Sequence, residues 1–310
     1  MRAERSLAKI LVLIGLVLGA TGTGKAVAEK KVLWAGYYSG IWAANSDGSN
    51  PEHVMDTGAG AVYAGWHTRG LFWDPDSQKV YFTNRTDEES RIQRMNVDGS
   101  ALEDIIAGSF MGLTNDVVLD SAGMIYWTDN SNNRIRRAFL DGTGRQDVYG
   151  TGSNQLCGLA IDPRMGKLYW TQFTSNQILR ANLDGSACET LVTGLCNPRY
   201  IDLDLDGQKM YWTEYDSQVI RRANLDGSVI ETLFTSPKVI GGISLDAQEG
   251  KMYWRDKDGL LRADLDGGNV ERLTFAGSDT YPCDVVITPE PGGLSLLALG
   301  GLALVRRRRK

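Results

Sequence analysis

Acidic residues recur in this chain at a regular spacing, and paired carboxylates are well suited to holding a cation or trading protons with a substrate. Asp120, Asp162, Asp204 and Asp246 stand about 42 residues apart, each closing a short apolar run. Asp129, Glu214 and Asp256 stand at the ends of a second series of runs. A catalytic pair is needed once, whereas these acids recur in step. The repetition therefore assigns them to turns, where a short carboxylate accepts backbone N–H groups. Calcium held by channel-facing carboxylates is the one cofactor left open, and no other is expected.

The remaining reactive side chains are sparse. There are two histidines, His53 and His67, and four cysteines, Cys157, Cys188, Cys196 and Cys283. They are too few and too scattered for a zinc site, so no metal ligand set is assigned. No Gly-x-Ser-x-Gly segment marks a serine nucleophile, and no cysteine pair has the Cys-x-x-Cys redox spacing. No residue stands out as catalytic. Residues 19–25 read Gly-Ala-Thr-Gly-Thr-Gly-Lys and imitate a phosphate-binding loop. Ala26 follows where a magnesium-binding hydroxyl belongs, and no strand or helix pattern flanks the segment.

What must position any site is a repeat. A Tyr-Trp pair returns at Tyr126-Trp127, Tyr169-Trp170, Tyr211-Trp212 and Tyr253-Trp254, with Tyr81-Phe82 and Leu33-Trp34 as weaker forms. An Asp-Gly pair follows each within about 17 residues, at Asp47, Asp98, Asp141, Asp184, Asp226 and Asp266. Asp-Gly suits a tight hairpin because glycine accepts positive φ. Six such units predict an all-β chain, a single six-bladed propeller of four-stranded blades. Alternation puts Tyr169 and Trp170 on opposite faces of one strand, as expected for a sheet buried between neighbouring blades. The first unit lacks an inner strand ahead of Leu33-Trp34, and residues 283–287 have that pattern with no Tyr-Trp behind them. They are predicted to complete blade one and close the ring, which removes exposed sheet edges.

Alignment of the inner strands names a channel ring: Arg69, Asn115, Cys157, Arg199, Gly241 and Cys283. Arg69 and Arg199 are expected to neutralise nearby acids such as Asp74, Asp116 and Asp202, with a small bound anion as the alternative. Cys157 and Cys283 fall across the channel, too far apart for a disulfide. Cys157 and Cys196, ahead of adjacent inner strands, are the preferred pair.

The termini read as processing signals. Arg2, Arg5 and Lys9 precede an apolar run ending at Ala20, and Ala26-Val27-Ala28 offers small residues for cleavage. Residues 1–28 are read as a signal peptide, residues 29–289 as the propeller, and residues 290–310 as a sorting signal or tail anchor. Pro289-Glu290-Pro291, an apolar run and a final basic cluster make up that end. The whole chain is −5, and residues 1–28 carry +3 and residues 290–310 carry +4, so the core is −12. An acidic core with no basic stripe argues against a nucleic-acid partner.

The repeat resembles the YWTD, or low-density-lipoprotein-receptor class B, repeat. The full tetrad stands at Tyr126-Trp127-Thr128-Asp129, with Tyr81-Phe82-Thr83-Asn84, Tyr169-Trp170-Thr171-Gln172, Tyr211-Trp212-Thr213-Glu214 and Tyr253-Trp254-Arg255-Asp256 as variants. Ile135-Arg136-Arg137-Ala138 and Ile220-Arg221-Arg222-Ala223 precede Leu-Asp-Gly in the same manner. The resemblance implies an extracellular, non-enzymatic module that binds a protein on one broad face, and exposed aromatic residues there would suit a protein hot spot or a glycan. From the ring alignment, Trp66, His67, Arg69, Asn115, Arg199, Tyr200 and Tyr281 are the candidate binding residues. Six-bladed propellers also resemble gluconolactonase-like and strictosidine-synthase-like hydrolases, some metal-dependent, to which Asn115, Asp116 and Asp202 would contribute. The C-terminal segment resembles the PEP-CTERM sorting signal. That likeness implies an exosortase-type processing enzyme as a partner, export across the inner membrane of a Gram-negative-type bacterium, and contact with the membrane only through the terminal signals.

Overall fold

The computed structural model describes residues 30–36, 39–55, 67–85, 90–108, 111–150, 152, 154–274 and 281–288. Among the described residues of Lys31–Thr288, twenty-four strands form six four-stranded antiparallel sheets. The inner strands are Pro282–Ile287, His67–Asp74, Val117–Leu119, Leu156–Asp162, Pro198–Asp204 and Ile240–Asp246 for blades one to six. Each contacts the next, and the sixth contacts the first, so the six blades form a closed propeller. Closure runs through blade one, where Leu33 pairs with Val286 and Trp34 with Val285. Thr288 N–H donates to the Lys31 carbonyl at 2.8 Å and extends the seam by one residue.

The aromatic pair builds the interfaces because its two rings leave opposite faces of one strand. Trp170 of blade four packs with Val118, Tyr126 and Val148 of blade three. Tyr169 packs with Ile201, Met210 and Trp212 of blade five. The same tyrosine-to-tryptophan contact joins Tyr81 to Trp127, Tyr211 to Trp254 and Tyr253 to Trp34 in their respective clusters. Between blades one and two the cluster holds Leu33 and Phe82 instead. All five of these tryptophans are fully buried.

The Asp-Gly turns serve two purposes. Asp184 Oδ1 accepts the Ser186 amide at 2.9 Å and closes the turn. Gly185 has φ +86°, and a Cβ there would stand 1.9 Å from the Val148 carbonyl oxygen of blade three. Glycine is thus required both by the turn and by the blade against which the turn rests. Arginines add a further tie between blades. Arg180 lies over the Tyr169 ring and donates to the Leu225 carbonyl of blade five at 3.0 Å. Arg137 and Arg222 reach Leu183 and Leu265 in the same way, each at 2.9 Å.

The first series of acids stands where the inner strands end and accepts amides of the turns that follow. Asp120 Oδ1 accepts the amides of Ala122 and Met124, and Asp162 Oδ1 those of Arg164 and Met165. Asp204 and Asp246 accept Gly207 and Glu249. Among the described residues, no helix is long and apolar enough to cross a membrane.

Candidate binding site at the channel mouth

The inner strands do not run straight to the mouth. Their pairing with the second strands slips between Thr68 and Leu71, Leu156 and Leu159, Pro198 and Ile201, and Ile240 and Ile243. Such bulges re-aim side chains and leave amides outside the ladder. The tetrad threonine supplies the missing partner. Thr83 Oγ1 accepts Gly70 N–H at 3.0 Å, Thr171 Oγ1 accepts Gly158 N–H at 2.8 Å, and Thr213 Oγ1 accepts Tyr200 N–H at 3.3 Å. Thr128 Oγ1 accepts the amides of both Asn115 and Asp116. Arg69, Cys157 and Arg199 lie in three of these bulges, and that is how blades two, four and five bring their ring positions to the mouth; Gly241 lies in the fourth bulge.

A cavity of about 510 Å³ opens there. Four of the predicted ring residues line it: Arg69, Asn115, Cys157 and Arg199. Asn115 is held on three sides. Its Oδ1 accepts Arg69 Nη1 at 2.6 Å, and its Nδ2 donates to the Leu156 carbonyl at 3.1 Å and approaches Cys157 Sγ at 3.5 Å. Burial pushes the Cys157 thiol up, with Arg199 and Arg69 acting in the other direction. Arg199 lies against two ring faces, 5.1 Å from the Tyr215 centroid and 5.6 Å from that of Tyr200. Phe173 stands 6.1 Å from Tyr215, and Tyr281, 45% exposed, completes the aromatic part of the wall.

Several expectations change here. Arg199 makes no ion pair among the described residues, so the expected neutralisation by acids does not hold for it. The acids named for that role are occupied elsewhere. Asp74 accepts Asp76 and Ser77 in its own turn, while Asp116 and Asp202 serve blade joints described below. Gly241 and Cys283 do not line the cavity. A Cβ on Gly241 would lie 2.5 Å from the Cys283 carbonyl, so that position lies against blade one. Cys283 is fully buried, with Sγ toward the Tyr281 carbonyl. Tyr200 is buried and lines an inner cavity of about 210 Å³ rather than the mouth. His67 begins the inner strand of blade two, and Trp66 lies outside the described residues. None of the four cysteines is in a disulfide, so the expected Cys157–Cys196 pair is not made: Cys157 is buried in a strand facing Asn115, and Cys196 is exposed.

Sequence reasoning missed Arg85, Asn130, Phe173 and Tyr215, all in the wall. Each directly follows a tetrad, so the signal was present one residue beyond the motif. Bonds back to the segment ahead of the inner strand hold three of them: Asn130 N–H donates to Leu113 O, Phe173 N–H to Gln155 O, and Tyr215 N–H to Asn197 O, all at 2.8–3.0 Å.

Below the mouth, the inner strands alternate between bulky residues and glycine. Around the ring stand Asp284, Gly70, Asp116, Gly158, Tyr200 and Gly242. A Cβ on Gly70 would meet Asp116 Cα at 2.6 Å, one on Gly158 Tyr200 Cα at 2.8 Å, and one on Gly242 Asp284 Cα at 2.5 Å. The other three junctions are bridged by carboxylates. Asp284 Oδ2 accepts Leu71 N–H at 2.9 Å, Asp116 Oδ2 accepts Leu159 N–H at 2.7 Å, and Asp202 Oδ2 accepts Leu245 N–H at 2.8 Å. The second oxygen of each takes the next amide of its own strand. Burial pushes the Asp116 carboxyl up to about 8 and Asp202 up to about 6, and drives Asp284 well above the ordinary range. The amide bonds act against this rise in all three.

These donors do not fit a calcium ion or a hydrolase metal. Asp116 and Asp202 spend both oxygens on backbone amides, and the Asn115 oxygen already faces a guanidinium. Among the described residues no group of three or more His, Cys, Asp and Glu is placed to hold a metal.

No family model matches the chain, and no curated protein matches it. Solved structures do. The chain is similar to one from the nidogen/laminin complex, with a TM-score of 0.73, 20% identity, and coverage of 84% of this chain and 99% of that one. TolB from Acinetobacter baumannii is similar at a TM-score of 0.64 and 14% identity, over 84% of this chain and 67% of that one. A catalytically inactive virginiamycin B lyase from Staphylococcus aureus is similar at 0.55 and 19%, over 72% and 75%. At these identities the likeness establishes the β-propeller fold. One neighbour comes from a protein complex and another is a lyase, so the fold alone does not select a function.

Proposed function

We propose that this protein is an exported binding module or cell-surface or matrix scaffold, without an enzymatic role, that recognises a protein or glycan at the channel mouth. The observation that carries this reading is the mouth cavity: guanidinium, amide and aromatic groups converge there, and its described lining contains no carboxylate. Such a wall suits recognition, with a few placed polar groups among apolar faces. The YWTD-like repeat supports the same reading. Export and sorting rest on the basic, apolar and small-residue pattern of residues 1–28 and on the Pro-Glu-Pro, apolar and basic pattern of residues 289–310.

The test is retention of the full chain on isolated cell-surface material, comparing wild type with Tyr281→Ser and Phe173→Ser. Retention is expected to fall in both variants with the melting temperature preserved. Unchanged retention in both, or turnover of lactone or ester substrates by the wild type, would overturn the proposal. Export is checked by fractionation in a Gram-negative host, with Glu29 expected as the new N-terminus.

A further inference from the structure

We propose that the mouth cavity takes an acidic sugar unit of the uronate type, with its carboxylate received by Arg199. This rests on the binding-module reading and names the ligand class for it. The first ground is Arg199 itself. Its recorded partners are the ring faces of Tyr200 and Tyr215, and its N–H groups have no hydrogen-bond acceptor among the described residues. Stacking engages the plane of a guanidinium and leaves its edge, where the donors form a fork that matches a carboxylate. A half-buried cation held in that way is completed by an anionic ligand.

The second ground is the charge of the wall. Arg69 and Arg85 share the cavity with Arg199, and its described lining contains no aspartate or glutamate. This basic basin sits in a core of net charge −12, so the mouth is where a small anion is drawn in. The third ground is shape. Phe173, Tyr215 and the exposed Tyr281 place aromatic rings in the same wall as the arginines, and Asn115 adds an amide. Aromatic rings next to a cationic fork in a concave pocket match a pyranose ring bearing a carboxylate better than they match an extended acidic peptide. The volume of about 510 Å³ lies within the range of small-ligand pockets.

The experiment is calorimetric titration of the full chain with D-glucuronate, with glucose as the uncharged counterpart, and with the tripeptide Gly-Asp-Gly. Glucuronate is expected to bind about tenfold or more tightly than glucose, the scale of a charge-assisted hydrogen bond. Its affinity should weaken as salt is raised. Arg199→Gln should lower it about tenfold, with Arg199→Lys recovering only part because an ammonium lacks the planar fork. Arg85→Gln provides a second loss at a different wall position, with melting temperatures confirming that both variants fold. Equal affinity for glucose and glucuronate, affinity unmoved in both glutamine variants, or tighter binding of Gly-Asp-Gly would overturn the assignment. If glucuronate fails to bind while Tyr281-dependent retention on cell-surface material persists, the acidic-sugar assignment falls and the binding module stands. If retention is also insensitive to Tyr281 and Phe173, both fall.

Discussion

Thr171 shows how one hydroxyl can support a site. It accepts Gly158 N–H and donates to the Arg199 carbonyl, both at 2.8 Å, and so joins the bulge of blade four to the strand that carries Arg199. Thr171→Val keeps the shape and strands two buried polar groups, so a loss of about 2–3 kcal/mol is expected in urea unfolding. Val229 offers the opposite case. It sits just past an Asp-Gly-Ser turn with φ +56°, where the matching residues are Asn50, Ala101, Ala187 and Asn269. A β-branched residue is strained in that conformation. Its side chain is 61% exposed, so little packing is lost on exchange. Val229→Asn should raise stability by about 1 kcal/mol, read as a higher urea midpoint with an unchanged slope.

At the scale of the blade, the tetrad strand is the unit of cohesion. Trp170→Ala opens a cavity in the interface between blades three and four and should cost about 3–5 kcal/mol. The junction of blades one and two lacks the tyrosine–tryptophan contact and depends on the strand Pro282–Ile287. A chain ending before Pro282 leaves blade one with an open edge, and loss of a single cooperative unfolding transition is expected. Much of this was legible in the sequence. The 42-residue spacing gave six blades, and the orphan strand at residues 283–287 gave the closure, because each repeat needs a neighbour on both faces. The site was legible only in part. Arg69, Asn115, Cys157 and Arg199 follow from the inner-strand alignment, but Phe173 and Tyr215 lie beyond the motif and are held in the wall by bonds to the segment ahead of the inner strand. The partners of Asp116 and Asp202 are backbone amides one repeat away, and a search for opposite charges does not find a backbone amide.

For the molecule as a whole, the buried carboxyls set the response to pH. Asp116, Asp202 and Asp284 bind a proton more tightly in the folded protein than in the unfolded chain. Their stabilising effect is complete below the ordinary carboxylate range and is lost as pH rises through the folded values, about 6 for Asp202 and about 8 for Asp116. For Asp202 the span from its ordinary value is worth roughly 3 kcal/mol. Urea midpoints should therefore fall between about pH 4 and pH 8, and Asp202→Asn should flatten the lower part of that slope. The turn aspartates act oppositely. Asp98, Asp141, Asp184 and Asp226 are held below the ordinary range by hydrogen bonds from the following Ser or Thr, so stability also falls in stronger acid. A maximum near pH 4–5 is expected.

The alternation of aspartate bridges and glycine contacts around the waist has a mechanical consequence. Six blades make six seams, but the seams are of two materials laid in turn. Those between blades one and two, three and four, and five and six are tied by a carboxylate that titrates. Those between two and three, four and five, and six and one are joined by backbone pressed against backbone, with no proton to lose. The chain repeats itself six times, while its interior responds in threes: rising pH places charge in every second seam, one seam after another and Asp202 before Asp116, and leaves the seams between them untouched.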